Sequence, residues 1–323
     1  MATPSRTTPV RFAVALPQDV VGPGFDSGLV QRFARRAERL GFDGLWTQES
    51  LRGQVPALEP LTLLAVAAAV TTRLDLGVAV VLSLYRQPIQ LARVAASLDQ
   101  LSGGRLILGL GLGERRYAEA FGFEPGRAVG RFVDGLELMR KLWRDEQVTH
   151  DGPVGRLEGW RGGLKPFRPG GPPIWFGARH PDALRRAVRL ADGWIGAGGS
   201  SSADFLANLP IVHDELAAAP DRGRPFGIGK RVYLAVGRSA SRDRARLRAW
   251  FDQRYGDPDR ADRVAIAADA RGIVDEIAPL IEAGAGLILL NPVYDQGRQL
   301  ETLAADVVPL LRQVRPGRTG ERA

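Results

Sequence analysis

The 323-residue sequence predicts a (β/α)8 barrel of the α/β class, carrying insertions. Short apolar or glycine-bounded runs alternate with longer amphipathic stretches, the pattern of a parallel sheet with crossover helices. Eight such runs can be counted along the chain. The chain also exceeds the ~250 residues typical of the barrel, leaving about 70 for insertions. An open doubly wound sheet shares the local pattern, but eight repeats and this length favour closure.

The first strand is expected at Arg11–Leu16, followed by a helix at Ser27–Leu40. A second strand, Gly44–Gln48, leads to a helix at Glu59–Thr72. The third, Leu74–Leu82, is a continuous apolar run, as is the last strand at Leu287–Asn291; such runs suit strands covered on both faces. Pro88–Leu101 follows the third strand, with Pro at the helix start where its missing N–H costs nothing. Strand Arg105–Leu110 precedes a helix at Arg127–Trp143. After a Gly/Pro-rich segment, Asp151–Pro173, come strand Pro173–Gly177 and helix Pro181–Ala191. Gly193–Ala197 with Ala203–Ala219, strand Arg231–Val236, and a terminal helix at Gln299–Val314 complete the series. The insertions are expected at Asp145–Pro173 and Arg238–Asp269, within one domain spanning 10–315. Residues 1–9 and 316–323 read as solvated tails.

Composition removes several function classes. With no cysteine there is no disulfide, thiolate metal site, iron–sulfur cluster or cysteine nucleophile. The formal charge of +8 raises nucleic acid as a partner. Yet Lys141, Lys165 and Lys230 are the only lysines among 44 basic residues, so the excess reads as arginine bias rather than a basic surface. The apolar stretch Leu61–Val70 is half of the roughly 20 residues needed to span a bilayer. No secretory pattern follows the amino terminus, so the expectation is a soluble, cytoplasmic protein without nucleic-acid or membrane partners.

His150, His180 and His213 lack metal-ligand spacing and are expected on the surface or in loops, His180 being set apart by its place at a helix start, with no metal site. Gly229-Lys230 fails as a phosphate loop, because Arg231 stands where Ser or Thr is required. Gly109-Leu110-Gly111-Leu112-Gly113-Glu114 follows a strand but lacks the third glycine of the dinucleotide fingerprint. Its glycines either let a strand end pack tightly or let backbone approach a planar ligand at the barrel mouth. Gly177-Ala178-Arg179-His180-Pro181 is either an ordinary βα turn or an anion site at a helix amino terminus. Glu49 and Glu114 end strands on the same mouth, as proton-transfer groups or as partners of cationic loops. The arginine-rich run Arg238–Arg248 reads as a solvated helix face.

Several segments, standing in family order, resemble the luciferase-like monooxygenase superfamily, and within it the coenzyme F420-dependent branch. They are AERLGFDGLWTQES, EPLTLLAVAAAVTTRLDLGVAVVL, YRQPIQLARVAASLDQLSGGRLILGLGLGE, PPIWFGARHPDALRRAVRLADGWIGAG and AGAGLILLNPVYD. The resemblance covers most of residues 10–315 and implies a (β/α)8 barrel. It also implies a bulge with a non-proline cis peptide at Ala79–Val80 behind the cofactor ring, backbone approach at Gly111 and Gly113, and phosphate contacts at Gly177, Ala178 and Arg179. Glu114 aligns with an acid of the sugar-phosphate dehydrogenase members. Ser50 replaces their catalytic histidine, which counts against that reaction and leaves Glu49, Ser50 and Glu114 as proton-transfer or orienting candidates. Leu112 stands where FMN-binding members place a basic residue, which favours F420 over FMN. The expected activity is hydride transfer to or from a small organic substrate, the cofactor supplying the chemistry. An FMN-dependent monooxygenase and a non-catalytic deazaflavin-binding barrel are the alternatives. Family habit adds a homodimer and a separate cofactor-reducing enzyme.

Overall fold

A computed structural model describes residues 9–20, 26–51, 55–113, 117, 119–161 and 163–317. Eight parallel strands close into a barrel: β1 (Arg11–Ala15), β2 (Gly44–Thr47), β3 (Asp75–Val78), β5 (Leu106–Gly111), β8 (Ile174–Gly177), β9 (Gly193–Gly196), β10 (Gly227–Val236) and β12 (Leu287–Pro292). Each pairs with the next in that order, and β12 pairs with β1 to complete the ring. A two-residue strand, β4 (Val81–Leu82), continues β3 beyond an interruption and pairs with β5.

Crossover helices α1 (Ser27–Arg39), α2 (Pro60–Val70), α3 (Pro88–Leu101), α4 (Ala128–Arg144), α5 (Pro181–Leu190), α6 (Ser202–Ala217) and α9 (Ala270–Glu282) surround the barrel. Proline occupies the first position of α2, α3 and α5, preceded by side-chain caps from Glu59, Gln87 and His180. Helix and barrel meet in one large apolar layer that includes Phe12, Leu45, Leu64, Leu76, Leu108 and Ile288, all fully buried. No helix among the described residues is long and apolar enough to cross a membrane.

The barrel interior is filled differently. Trp46 and Trp175 meet edge-to-face with centroids 6.0 Å apart, and glycines on other barrel strands make room for them. A Cβ on Gly77 would lie 2.2 Å from the Trp46 indole, and one on Gly227 2.2 Å from Trp175. Two large rings in so narrow a core leave no space for side chains opposite them.

The structure corrects the expectations in some places and fills them in at others. The Gly/Pro-rich segment carries an antiparallel hairpin, β6 (Gln147–Gly152) and β7 (Gly155–Arg161). The seventh barrel strand begins at Gly227, four residues before the expected start, so Gly229-Lys230 lies within a strand. The second insertion is ordered as α7 (Ala240–Tyr255), α8 (Asp259–Val264) and β11 (Ala265–Ala268), with β11 pairing parallel to β10 outside the ring. The chain ends in α10 (Gln296–Thr302) and α11 (Val308–Leu311). His150 is not a surface residue: it is buried in the hairpin, its Nε2 3.2 Å from Asp134. His213 lies within α6 and is half-buried.

Candidate active site

The C-terminal ends of the barrel strands form a mouth whose most irregular feature is the break between β3 and β4. The Ala79–Val80 peptide bond is cis. The break is held from both sides of the barrel. Ala79 N–H donates to Thr47 O at 2.8 Å, and Glu49 N–H to Val80 O at 3.3 Å. From β10, on the opposite wall, Arg231 Nη1 donates to Ala79 O at 3.3 Å. The half-buried Val80 side chain fits where β5 and β8 carry glycine. A Cβ on Gly111 would lie 2.6 Å from Val80 Cγ2, and one on Gly177 3.0 Å from Val80 Cγ1. Packing around Val80 therefore supplies a reason for these two glycines that needs no ligand.

Gly113 has φ +83°, and a Cβ there would meet the Tyr85 ring at 2.6 Å. Its left-handed conformation is one that glycine adopts without steric cost. Tyr85 in turn stacks on Phe121, centroids 4.4 Å apart.

Glu49 is at the mouth, its carboxylate engaged on every side. The side chain is 5% exposed and pairs with Arg86, whose Nε donates to it at 2.9 Å. It also accepts the Leu82 N–H at 2.5 Å, directly beyond the bulge. Arg86 bridges on to Glu59 at 2.6 Å. Burial works to raise the Glu59 carboxyl, but hydrogen bonds from Thr62, Arg86 and Leu61 prevail and hold it below the ordinary range. Ser50 follows Glu49 at the rim and is half-buried. Glu114 lies outside the described residues.

The Gly177–Arg179 turn leads into α5. The Ala178 carbonyl accepts Trp194 Nε1 at 2.8 Å, so this residue is fixed in the wall. Arg179 is exposed and makes no ion pair among the described residues. His180 Nδ1 caps the helix, accepting Asp182 N–H at 3.3 Å. The structure thus gathers Ala79, Val80, Glu49, Gly111 and Gly177 around one bulge, with Arg179 exposed in the turn that follows Gly177.

Residues not singled out in the sequence form the rest of the mouth. Arg231 and Tyr233 are buried on β10, and Arg231 Nη2 donates to the Tyr233 hydroxyl. Tyr233 Oη donates to Gln48 Oε1 at 3.3 Å and lies 2.8 Å from Tyr255 Oη. Burial pushes the Tyr233 phenol well above its usual value. Arg254, on α7, pairs with Asp19 at 2.9 Å, and Trp250 Nε1 donates to the other Asp19 oxygen at 3.1 Å. Burial still outweighs Arg254 and holds the Asp19 carboxyl above the ordinary range. The signal that could have found Arg231 is strand alternation, since residues 231 and 233 share one face.

Lys230 faces the other way, towards the Ala197–Ser202 turn after β9. Its ammonium donates to Ala197 O at 2.8 Å, Ser200 O at 2.6 Å and Ser200 Oγ at 3.1 Å. Burial first, and the Arg231 charge second, lower its pKa to about 7. The unfolded chain keeps this proton up to about 10.5, so it binds more protons across that window. Stability should therefore rise between about pH 7 and 10.5. With three lysines in the sequence, a carbon-13 NMR titration of the lysine ε-carbons should show one titrating near neutrality and lost in Lys230→Arg. Three lysines all titrating above pH 9 would contradict this.

Comparison with known proteins agrees with this architecture. The family model for luciferase-like monooxygenases matches residues 10–287. A phthiodiolone/phenolphthiodiolone dimycocerosates ketoreductase from Mycobacterium tuberculosis is 35% identical over 189 residues, 57% of this chain; the chain spans about half, 49%, of that relative's length. An F420-dependent glucose-6-phosphate dehydrogenase from Intrasporangium calvum is 29% identical over 315 residues, covering 86% of this chain and 92% of that enzyme. Among solved structures, an F420-dependent secondary alcohol dehydrogenase in complex with an F420-acetone adduct superposes with a TM-score of 0.78 at 18% identity. That superposition covers 94% of this chain and 99% of the other, and it shows the shared fold. The chain belongs to the luciferase-like monooxygenase family.

Proposed function

We propose that this protein is an F420-dependent oxidoreductase that transfers a hydride between the deazaflavin and a small organic substrate at the barrel mouth. The observation that carries the reading is the buttressed bulge: Ala79 and Val80 are gripped by Thr47, Glu49 and Arg231 at the C-terminal end of the barrel strands. Such a platform fits a flat ring, and Arg179, exposed after β8 and without an ion pair among the described residues, fits an anionic tail. Ala79 and Val80 would back the ring, with Gly111, Gly113, Gly177, Ala178 and Arg179 along the remainder of the cofactor. The bound deazaflavin supplies hydride donation and acceptance. Glu49 maintains the bulge through Leu82 and Arg86, which leaves proton delivery or substrate orientation to Ser50 and Glu114. Leu112 packs its side chain against the main core and offers no cation to an FMN phosphate. The named reactions of the relatives, ketone reduction and sugar-phosphate oxidation, are hydride transfers at oxygen-bearing carbon and support the same class.

Anaerobic oxidation of reduced F420 by a panel of ketones, aldehydes and enones tests the activity directly. Turnover with at least one of them is expected. Oxygen consumption with reduced FMN, and none with F420, would instead favour the monooxygenase reading that the family's name carries. A separate enzyme would recycle the cofactor. Nucleic acid and membrane are not partners in this reading, since many surface arginines already pair with acids, as Arg36 does with Glu301 and Arg248 with Asp259.

A homodimer belongs to the same proposal. Leu101 is 71% exposed on α3 and Val94 is exposed beside it, along a shallow groove completed by Leu61 and Ala65 of α2. Light scattering should give twice the chain mass, falling to one chain mass in Val94→Glu/Leu101→Glu. A wild-type monomer at micromolar concentration would refute the dimer.

A further inference from the structure

We propose that Tyr255, on the inserted helix α7, is the catalytic proton donor at the substrate oxygen. It protonates a carbonyl oxygen as the carbon is reduced, and takes the proton back from an alcohol in the reverse direction. This rests on the proposed hydride transfer and names the residue that completes it. Three observations bring Tyr255 to the mouth. Its hydroxyl lies 2.8 Å from Tyr233 Oη, and Tyr233 is linked through Arg231 to the Ala79 carbonyl in the bulge. Tyr233 stands on β10 beyond Lys230, which pairs with the last residue of β9, Gly196, so its ring is at the strand ends. A Cβ on Gly198, in the turn after β9, would lie 2.6 Å from that ring, and one on Gly199 2.2 Å from Arg260 Nη2. Helices α7 and α8 therefore lean over the mouth, with the Arg260 guanidinium 4.7 Å from the Tyr255 ring centroid.

Hydrogen-bond capacity gives Tyr255 its direction. Arg231 can only donate, and it donates to Tyr233. The single Tyr233 proton has two acceptors in reach, Gln48 Oε1 at 3.3 Å and Tyr255 Oη at 2.8 Å. Turned towards Tyr255, it leaves the Tyr255 proton free to point outwards. Turned towards Gln48, it lets Tyr255 donate inwards and accept a proton from outside. Tyr233 is 1% exposed and burial pushes its phenol well above the usual value, whereas Tyr255 is 38% exposed, so exchange with substrate takes place at Tyr255. Other groups at the mouth serve less well. Glu49 already accepts from Arg86 and Leu82, and a phenol releases its proton far more readily than the aliphatic hydroxyl of Ser50. In the reducing direction the carbonyl carbon gains a hydride from the reduced deazaflavin, the C=O π pair moves onto oxygen, and that oxygen takes the Tyr255 proton. The phenolate left behind lies against the Arg260 charge and recovers a proton from water.

Tyr255→Phe tests this, because it keeps the ring and removes only the hydroxyl. With reduced F420 it should slow the reduction of acetophenone and cyclohexanone about a hundredfold or more, with F420 affinity and melting temperature unchanged. Reduction of N-methylphenazinium, which accepts a hydride without a proton, should proceed as in the wild type. A second readout needs no turnover. With the full chain in excess, the infrared carbonyl band of carbon-13-labelled acetophenone or cyclohexanone should move to lower frequency, and Tyr255→Phe should lose that shift. Ketone reduction that survives Tyr255→Phe, an equal loss with N-methylphenazinium, or the absence of a Tyr255-dependent infrared shift would each overturn the assignment. Failure of the wild type to bind F420 would sink the cofactor reading, and the infrared shift would then decide the role of Tyr255 by itself.

Discussion

Gly109→Ala is expected to lower the melting temperature by about 6–12 °C or to prevent soluble expression. An ideal Cβ at this position would stand 1.9 Å from the Val78 carbonyl oxygen and 3.1 Å from Val80 Cγ1. The first obstacle is backbone inside the barrel wall, so no rotamer change can relieve it. Strand β3 would have to move away from β5, costing about 3 kcal/mol, and each kcal/mol is worth about 2–4 °C in a protein approaching this size. Gly126→Ala is the control, because a Cβ there meets nothing within 4 Å; its effect should stay within about 0.5 kcal/mol. A Gly109→Ala protein melting with the wild type would show that the bulge is not packed as described.

Glu49→Ala should weaken cofactor binding at least tenfold and cost about 2–4 kcal/mol of stability. The substitution leaves the Leu82 N–H without its acceptor and Arg86 with Glu59 alone, and breaking a buried ion pair is expensive because one charge stays behind. Glu49→Gln separates structure from chemistry. If Glu49 holds the bulge, the amide should show a partial loss of both stability and cofactor affinity, with turnover falling in proportion. If Glu49 transfers a proton, turnover should collapse while melting temperature and cofactor affinity stay at wild-type values. Differential scanning fluorimetry and steady-state kinetics on the same samples distinguish the two.

The alternation of apolar runs and amphipathic stretches was enough to place the eight barrel strands, because a parallel strand covered on both faces must be apolar throughout. Where that condition fails, the pattern fails too. The β6–β7 hairpin exposes most of its residues, so it carries no hydrophobic period. Strand β10 opens Gly-Ile-Gly-Lys-Arg, with glycines yielding to Trp175, a lysine turned to a buried turn and an arginine reaching across the barrel. Composition alone makes that segment look like a loop. The Ala79–Val80 bulge came from resemblance, since Val-Ala-Val-Val by itself reads as uninterrupted strand. Gly111 and Gly177 stood out in the sequence as places for close approach, and in the structure what approaches first is Val80. Arg231, Tyr233 and Asn291 come together only through the pairing of β10 with β12, a relation between segments more than fifty residues apart.

In the proposed function, the mouth built on the Ala79–Val80 bulge is a seat for a deazaflavin. Titration of the purified protein with F420, followed by the cofactor's own fluorescence and repeated with FMN, tests it most directly. Saturable one-to-one binding of F420, at least tenfold tighter than FMN, is expected. Micromolar affinity for FMN with no binding of F420 would contradict it.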